Sequence, residues 1–206
     1  MPEKEVHKTT SKTNHFLDII YNERNLIGFM GDIGSGKTLL SHILLHNSLK
    51  NHRPVIYICC DIFPDDLRDI LSRKGIDVEK YEKLGYLRIV DAYTWKAPEL
   101  EATYDISIVN IGSIVAFIEK EINNIKNITG KKPDFIIFDE FTSIIDYNSF
   151  DVGTKLINVM KKFNDKWNIS IILILSSYFD DIQKNRLSNV IPTIIYFYNN
   201  IFLQSR

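Results

Sequence analysis

At 206 residues with 45% hydrophobic side chains, the chain has the size and apolar content of one α/β unit with a substantial core. A formal net charge of −1 excludes a global field able to hold the protein on a phosphate backbone or an anionic membrane. The first residues, Met1 to Asn14, are polar and resemble no signal peptide, and later apolar runs are too short to span a bilayer; we expect a soluble cytoplasmic protein without membrane insertion, with a flexible tail over 1–14 and a single folded domain over 15–206.

Asn25 to Met30 is a short apolar run ending in a glycine-rich turn, and Leu39, Leu40, Ile43 and Leu44 follow at helical spacing, which predicts strand, loop and helix. Pro54 to Cys60 is β-branched and aromatic and predicts a strand buried on both faces of a parallel sheet. Cys59 and Cys60, as strand neighbours, point to opposite faces, which argues against a structural disulfide. Pro64 opens a helix with Asp65 and Asp66 where the helix dipole favours acids. Leu87 to Val90 predicts a third strand, and Asp91 to Asp105, with Pro98 and no sustained period, a loop.

Ile108, Ile111, Val115, Ile118, Ile122 and Ile125 alternate steps of three and four, predicting one helix stripe against a sheet, punctuated by Gly130 and Pro133. Phe135 to Phe138 predicts a buried strand, Leu156 to Phe163 an amphipathic helix, Ile169 to Leu175 another strand and Phe179 to Leu187 a helix. Thr193 to Tyr198 and Ile201 to Gln204 flank Asn199-Asn200, which predicts a C-terminal β-hairpin. Strands separated by helices indicate a mostly parallel central sheet covered on both faces, with no internal repeat.

Gly31-Asp32-Ile33-Gly34-Ser35-Gly36-Lys37-Thr38 matches GxxxxGK[ST], the Walker A phosphate loop, at every fixed position and lies between a predicted strand and a predicted helix. Its glycines let successive backbone N–H groups curl around the phosphates of ATP, Lys37 adds a point charge, and Thr38 offers a hydroxyl to Mg2+. Magnesium needs a carboxylate nearby, and Asp139, at the carboxyl end of the apolar Phe135 to Phe138 run, is the candidate Walker B acid, followed by Glu140.

Together with Pro54-Val55-Ile56-Tyr57-Ile58, Pro64-Asp65-Asp66-Leu67, Gly75-Ile76-Asp77 and Gly85-Tyr86-Leu87-Arg88-Ile89-Val90-Asp91-Ala92, the loop makes the chain resemble the RecA superfamily, most of all KaiC-like and FlaH-like archaeal ATPases. The resemblance covers Leu26 to Tyr198. It implies a RecA-like three-layer αβα fold in which the Ile171 to Leu175 strand lies between the phosphate-loop strand and the Asp139 strand, so that Ser176 and Ser177 face the γ-phosphate. It also implies a catalytic glutamate after the second strand, where this chain has Asp61 and Ile62; Asp61 is one methylene shorter, a change that can cost about a hundredfold in rate. Glu140 is the other candidate base, and the lack of any efficient base is a third alternative. The basic fingers of the resembling family come from a late hairpin, near which this chain stops at Arg206, and its paired-glycine lead-in is replaced by His15-Phe16-Leu17-Asp18-Ile19-Ile20.

The favoured expectation is an ATPase, slow or non-hydrolysing, whose occupancy switches a surface read by a protein partner or by self-association. The alternative is a recombinase-like DNA-binding ATPase, for which Lys131-Lys132 and Lys161-Lys162 are the available basic pairs; on charge alone nucleic acid is not expected. A small-molecule kinase would carry an arginine-rich lid, and Asp91 to Asp105 contains no arginine.

Overall fold

In the computed structural model of the chain, residues 20, 25–96, 104–107 and 110–198 are described. Strand β1 (Leu26–Gly31) leads into α1 (Lys37–Lys50), then come β2 (Val55–Cys59), α2 (Pro64–Arg73), α3 (Val78–Lys83) and β3 (Leu87–Asp91). A 3-10 turn at Thr94–Lys96 precedes α4 (Ile111–Thr129) and β4 (Phe135–Asp139). The chain continues through α5 (Thr142–Asn148), α6 (Phe150–Trp167), β5 (Ser170–Ser176), α7 (Asp181–Val190) and β6 (Thr193–Phe197).

The six strands form one sheet in the order β3-β2-β4-β5-β1-β6, and every pairing is parallel. The fold class expected from the sequence is therefore present, including β5 between β1 and β4. In the predicted C-terminal hairpin the first arm is β6, parallel to β1, whereas Ile201 to Gln204 and the polar tail lie outside the described residues.

Alternation along each strand sorts its side chains between two cores. Ile56, Ile58 and Cys60 join a cluster with Ile114, Ile118, Ile122, Leu156 and Met160 on one face. Val55, Tyr57 and Cys59 join Leu44, Leu45, Leu49, Leu67 and Leu71 on the other. Both cysteines are buried and free, on opposite faces as the strand period requires. Each fully buried aliphatic side chain in these layers contributes about 1.5–3 kcal/mol by leaving water, so the two-sided burial of β2, β4 and β5 accounts for their near-continuous apolar sequence.

Local chemistry sets the helix ends. Pro64 occupies the first turn of α2, where its missing N–H loses nothing, and Asp65 and Asp66 face the positive end. Asn110 caps α4 by accepting from Ser113 N, and Gly130 ends it at φ 70. Within α4 the buried stripe is Ile114, Ile118, Ile122 and Ile125, while Ile111 and Val115 are half-buried against it and Ile108 lies outside the described residues. Glu121 is buried on the same face because Arg88 of β3 donates to it at 3.1 Å and to Asp105 at 2.7 Å. Ser149 caps α6, which therefore begins before the predicted Leu156, and Asp180 and Gln183 form a reciprocal capping box that starts α7 after Phe179.

Candidate functional site

The parallel register brings the carboxyl ends of β1, β5 and β4 together: Gly31 lies beside Ser176, and Asp139 ends the next strand. This is the edge at which open α/β sheets bind ligands. The Gly31–Thr38 segment curls there, with Gly34 at φ 79 and Gly36 at φ 99, conformations that only glycine adopts without strain. Gly31 is required for another reason: a Cβ there would stand 2.5 Å from the Phe197 carbonyl of β6.

The loop suits a polyanion. A Cβ at Gly34 or Gly36 would meet nothing within 4 Å among the described residues, so these leave the space above the curl open. Gly36 provides no side-chain cap, and the first turn of α1 contains no acidic residue, leaving the positive helix end without an anionic partner from its own first turn. The hydroxyl oxygen of Ser35 is buried and has no hydrogen-bond partner among the described residues. Lys37 is only 6% exposed; its ammonium donates to the Gly31 carbonyl at 2.7 Å and the Asp32 carbonyl at 2.9 Å. Burial lowers its pKa, opposed by the charges of Glu140, Asp32 and Asp139.

Opposite the loop, Thr38 Oγ1 donates to Asp139 Oδ1 at 3.3 Å. A hydroxyl and a carboxylate are hard oxygen donors of the kind that magnesium accepts, so this pair fits the ion that the motif implies. Asp139 is 8% exposed, and burial pushes its carboxyl up to about 6, with Glu140 and Asp61 pushing the same way and the bonds from Tyr57 and Thr38 opposing. Its second oxygen accepts from the Tyr57 hydroxyl at 2.6 Å.

Glu140 is half-buried and accepts from Ser176 Oγ at 3.0 Å, while Ser176 N donates to Thr142 Oγ1 at 2.8 Å. Ser177 donates to the carboxylate of Asp32 in the loop, so one serine bonds to an acid of the loop and the other to the acid that follows Asp139. Asp61 stands exposed just beyond β2. Next to it Lys96 donates to the Cys60 carbonyl at 2.8 Å and lies 4.7 Å from the ring centroids of both Tyr93 and Tyr147.

The basic pairs lie elsewhere. Lys131 donates to the His52 carbonyl at 2.9 Å and Lys132 to the Trp167 carbonyl at 2.7 Å, both just before β4 and so at the amino end of that strand. Lys161 and Lys162 are exposed on α6. Among the described residues no helix is long and apolar enough to cross a membrane.

Sequence reasoning missed Tyr57, His42, Lys74 and Lys96 around this site. The one available signal was a tyrosine within the otherwise aliphatic and sulfur-bearing β2, where a hydroxyl must find a partner when buried.

Comparisons with known proteins identify the family and the fold. The family model described as "ATPase: KaiC" matches residues 14–201. A UPF0273 protein of Pyrococcus horikoshii is 30% identical over 122 residues, which are 59% of this chain and 48% of that protein. A UPF0273 protein of Pyrococcus furiosus gives the same identity and coverage, and one of Thermotoga maritima is 35% identical over 72 residues, 35% of this chain and 30% of its own length. The chain thus aligns with about half the length of the two Pyrococcus relatives or less in the third. In fold it is similar to the crystal structure of a KaiC-like protein from Pyrococcus horikoshii, with TM-score 0.66 and 17% identity over 87% of this chain and 76% of that one.

Proposed function

The chain belongs to the KaiC family of ATPases, and from that premise we propose that it holds ATP and Mg2+ at Gly31–Thr38, with Thr38 and Asp139 on the metal side, and works as a slow, occupancy-driven switch for a protein partner. The convergence of Thr38 Oγ1 and Asp139 Oδ1 to 3.3 Å beside an open glycine curl carries the reading.

In this proposal Lys37 leaves the Gly31 and Asp32 carbonyls and turns to the phosphates. Two charged-donor hydrogen bonds worth about 1.5–3 kcal/mol each are exchanged for stronger bonds to an anion, so the exchange is favourable. The loop glycines, among them Gly34 and Gly36, keep Asp32, Ile33, Ser35 and the backbone around them curled toward the triphosphate, and Ser35 gains a partner for its buried hydroxyl. Magnesium, when bound, would neutralise phosphate charge.

Glu140 is the better placed of the two candidate bases. It adjoins Asp139, its charge is the largest electrostatic influence on Lys37, and Ser176 fixes one of its oxygens. Asp61 is exposed, so water competes for its carboxylate. A Glu140 held by Ser176 must give up or share that bond to orient an attacking water, which supports slow turnover.

Single-turnover hydrolysis of ATP tests this. We expect turnover below about one per minute, reduced about a hundredfold in Glu140→Gln with ATP binding retained, and little changed in Asp61→Asn. Rapid turnover, or loss of turnover in Asp61→Asn alone, would reverse the assignment. The alternative of a DNA-binding recombinase gains no support from the basic pairs, one of which, Lys131-Lys132, is bonded to backbone carbonyls away from the site edge.

A further inference from the structure

The Asp139 carboxylate is held from behind by a series of hydrogen bonds whose direction can be worked out proton by proton. Tyr57 is fully buried in β2 on the α1 side of the sheet, and has one hydroxyl proton. An ionised carboxylate has none to give, so the 2.6 Å contact runs from Tyr57 to Asp139 Oδ2. With that proton committed, the 3.1 Å contact between the Tyr57 oxygen and His42 Nε2 must be donated by the imidazole. His42 is then the Nε2–H tautomer, which leaves a lone pair on Nδ1, and Lys74 Nζ lies 2.6 Å from that nitrogen as a donor.

Ser41 does not interrupt the sequence. Its hydroxyl donates to the Thr38 carbonyl at 2.9 Å, so its 3.4 Å approach to the phenol carries no proton from either side. His42 is 4% exposed, and burial together with Lys74 lowers its pKa to about 4, which keeps the imidazole neutral near pH 7. Lys74 itself is exposed at the end of α2. Three donors in series therefore point one way, from a surface ammonium to a buried carboxylate.

We propose that Lys74, His42 and Tyr57 form a unidirectional hydrogen-bond relay that fixes the rotamer of Asp139, with Tyr57 as the positioning residue of the metal half of the site. The relay rests on the reading of Asp139 as the magnesium-side acid. With Oδ2 pinned by Tyr57, Oδ1 is left facing Thr38, where the ion would be held. Removing the phenol leaves more negative charge on the carboxylate, which alone would favour a cation. It also frees the group to rotate, and loss of orientation by a ligand's hydrogen-bond partner outweighs that gain, typically lowering metal affinity about 10-fold or more.

Electron paramagnetic resonance titration of Mn2+ into the full chain with ATP tests the proposal, alongside ATP affinity measured with EDTA and long-range 1H–15N spectra of His42. Tyr57→Phe should weaken Mn2+ about 10-fold while leaving metal-free ATP affinity unchanged. Lys74→Met, at an exposed position, should weaken Mn2+ on the order of twofold by loosening the far end of the series. His42 in the wild-type protein should carry its proton on Nε2. Wild-type Mn2+ affinity in Tyr57→Phe, or a proton on His42 Nδ1, overturns the relay while leaving the nucleotide site intact. Should Tyr57→Phe not fold, an unchanged affinity in Lys74→Met overturns it. A wild-type protein that holds no Mn2+ with ATP instead removes the site reading on which the relay stands.

Discussion

Burial of Asp139 sets a price on function in the resting protein. Its carboxyl titrates near 6 when folded against an ordinary value of 3.8, so the folded state holds this proton more tightly than the unfolded chain. Below about pH 4 the group is protonated in both states and contributes nothing; as pH rises toward 6 stability is lost, reaching about 3 kcal/mol above pH 6. Asp139→Asn should therefore stabilise the metal-free protein at pH 7.5 by up to about 3 kcal/mol, with the gain shrinking toward pH 5, and should abolish any extra stabilisation by Mg2+ with ATP. Urea unfolding at the two pH values checks this, and a destabilised variant at pH 7.5 would contradict it. At this scale the motif residues were legible because their spacing is dictated by phosphate geometry. Tyr57 and His42 were not, since within a buried strand and a helix face nothing in the pattern says which hydroxyl and which imidazole will meet across the core.

Among elements, β1 and β6 meet closely beside the site. The Phe197 carbonyl leaves no room for a side chain at Gly31, and Phe197 itself packs against Phe29 with ring centroids 5.5 Å apart. Gly31→Ala should push β6 away from β1, destabilising by about 1–3 kcal/mol in urea unfolding and weakening ATP binding; wild-type stability would show that the edge yields without strain. The strands were readable in the sequence because two-sided burial makes them continuously apolar. Helix α5 was not: over seven residues a 3.6-residue period cannot be distinguished from chance. Helix α6 starts six residues before the predicted Leu156 and takes in Gly153, where a Cβ would lie 2.5 Å from Ile145 Cγ1, which lets α5 and α6 approach closely.

For the whole molecule, strand order matters more than any single contact. With β5 between β1 and β4, the loop, Ser176, Asp139 and Glu140 meet at one sheet edge, while Lys131 and Lys132 lie at the amino end of β4. That order came from resemblance, since nothing in the alternation of strands and helices states which strands become neighbours. With a net charge of −1, the chain should show no retention of single-stranded DNA at about 150 mM salt; a salt-sensitive shift would contradict this. The central claim is that Lys37, Thr38 and Asp139 enclose ATP with its magnesium. Calorimetric titration of ATP into the wild-type chain and Lys37→Ala, each with Mg2+ and with EDTA, measures it directly. The account predicts saturable, Mg2+-enhanced binding that Lys37→Ala weakens at least about a hundredfold; no heat from the folded wild-type protein, or equal affinity in the variant, would contradict it.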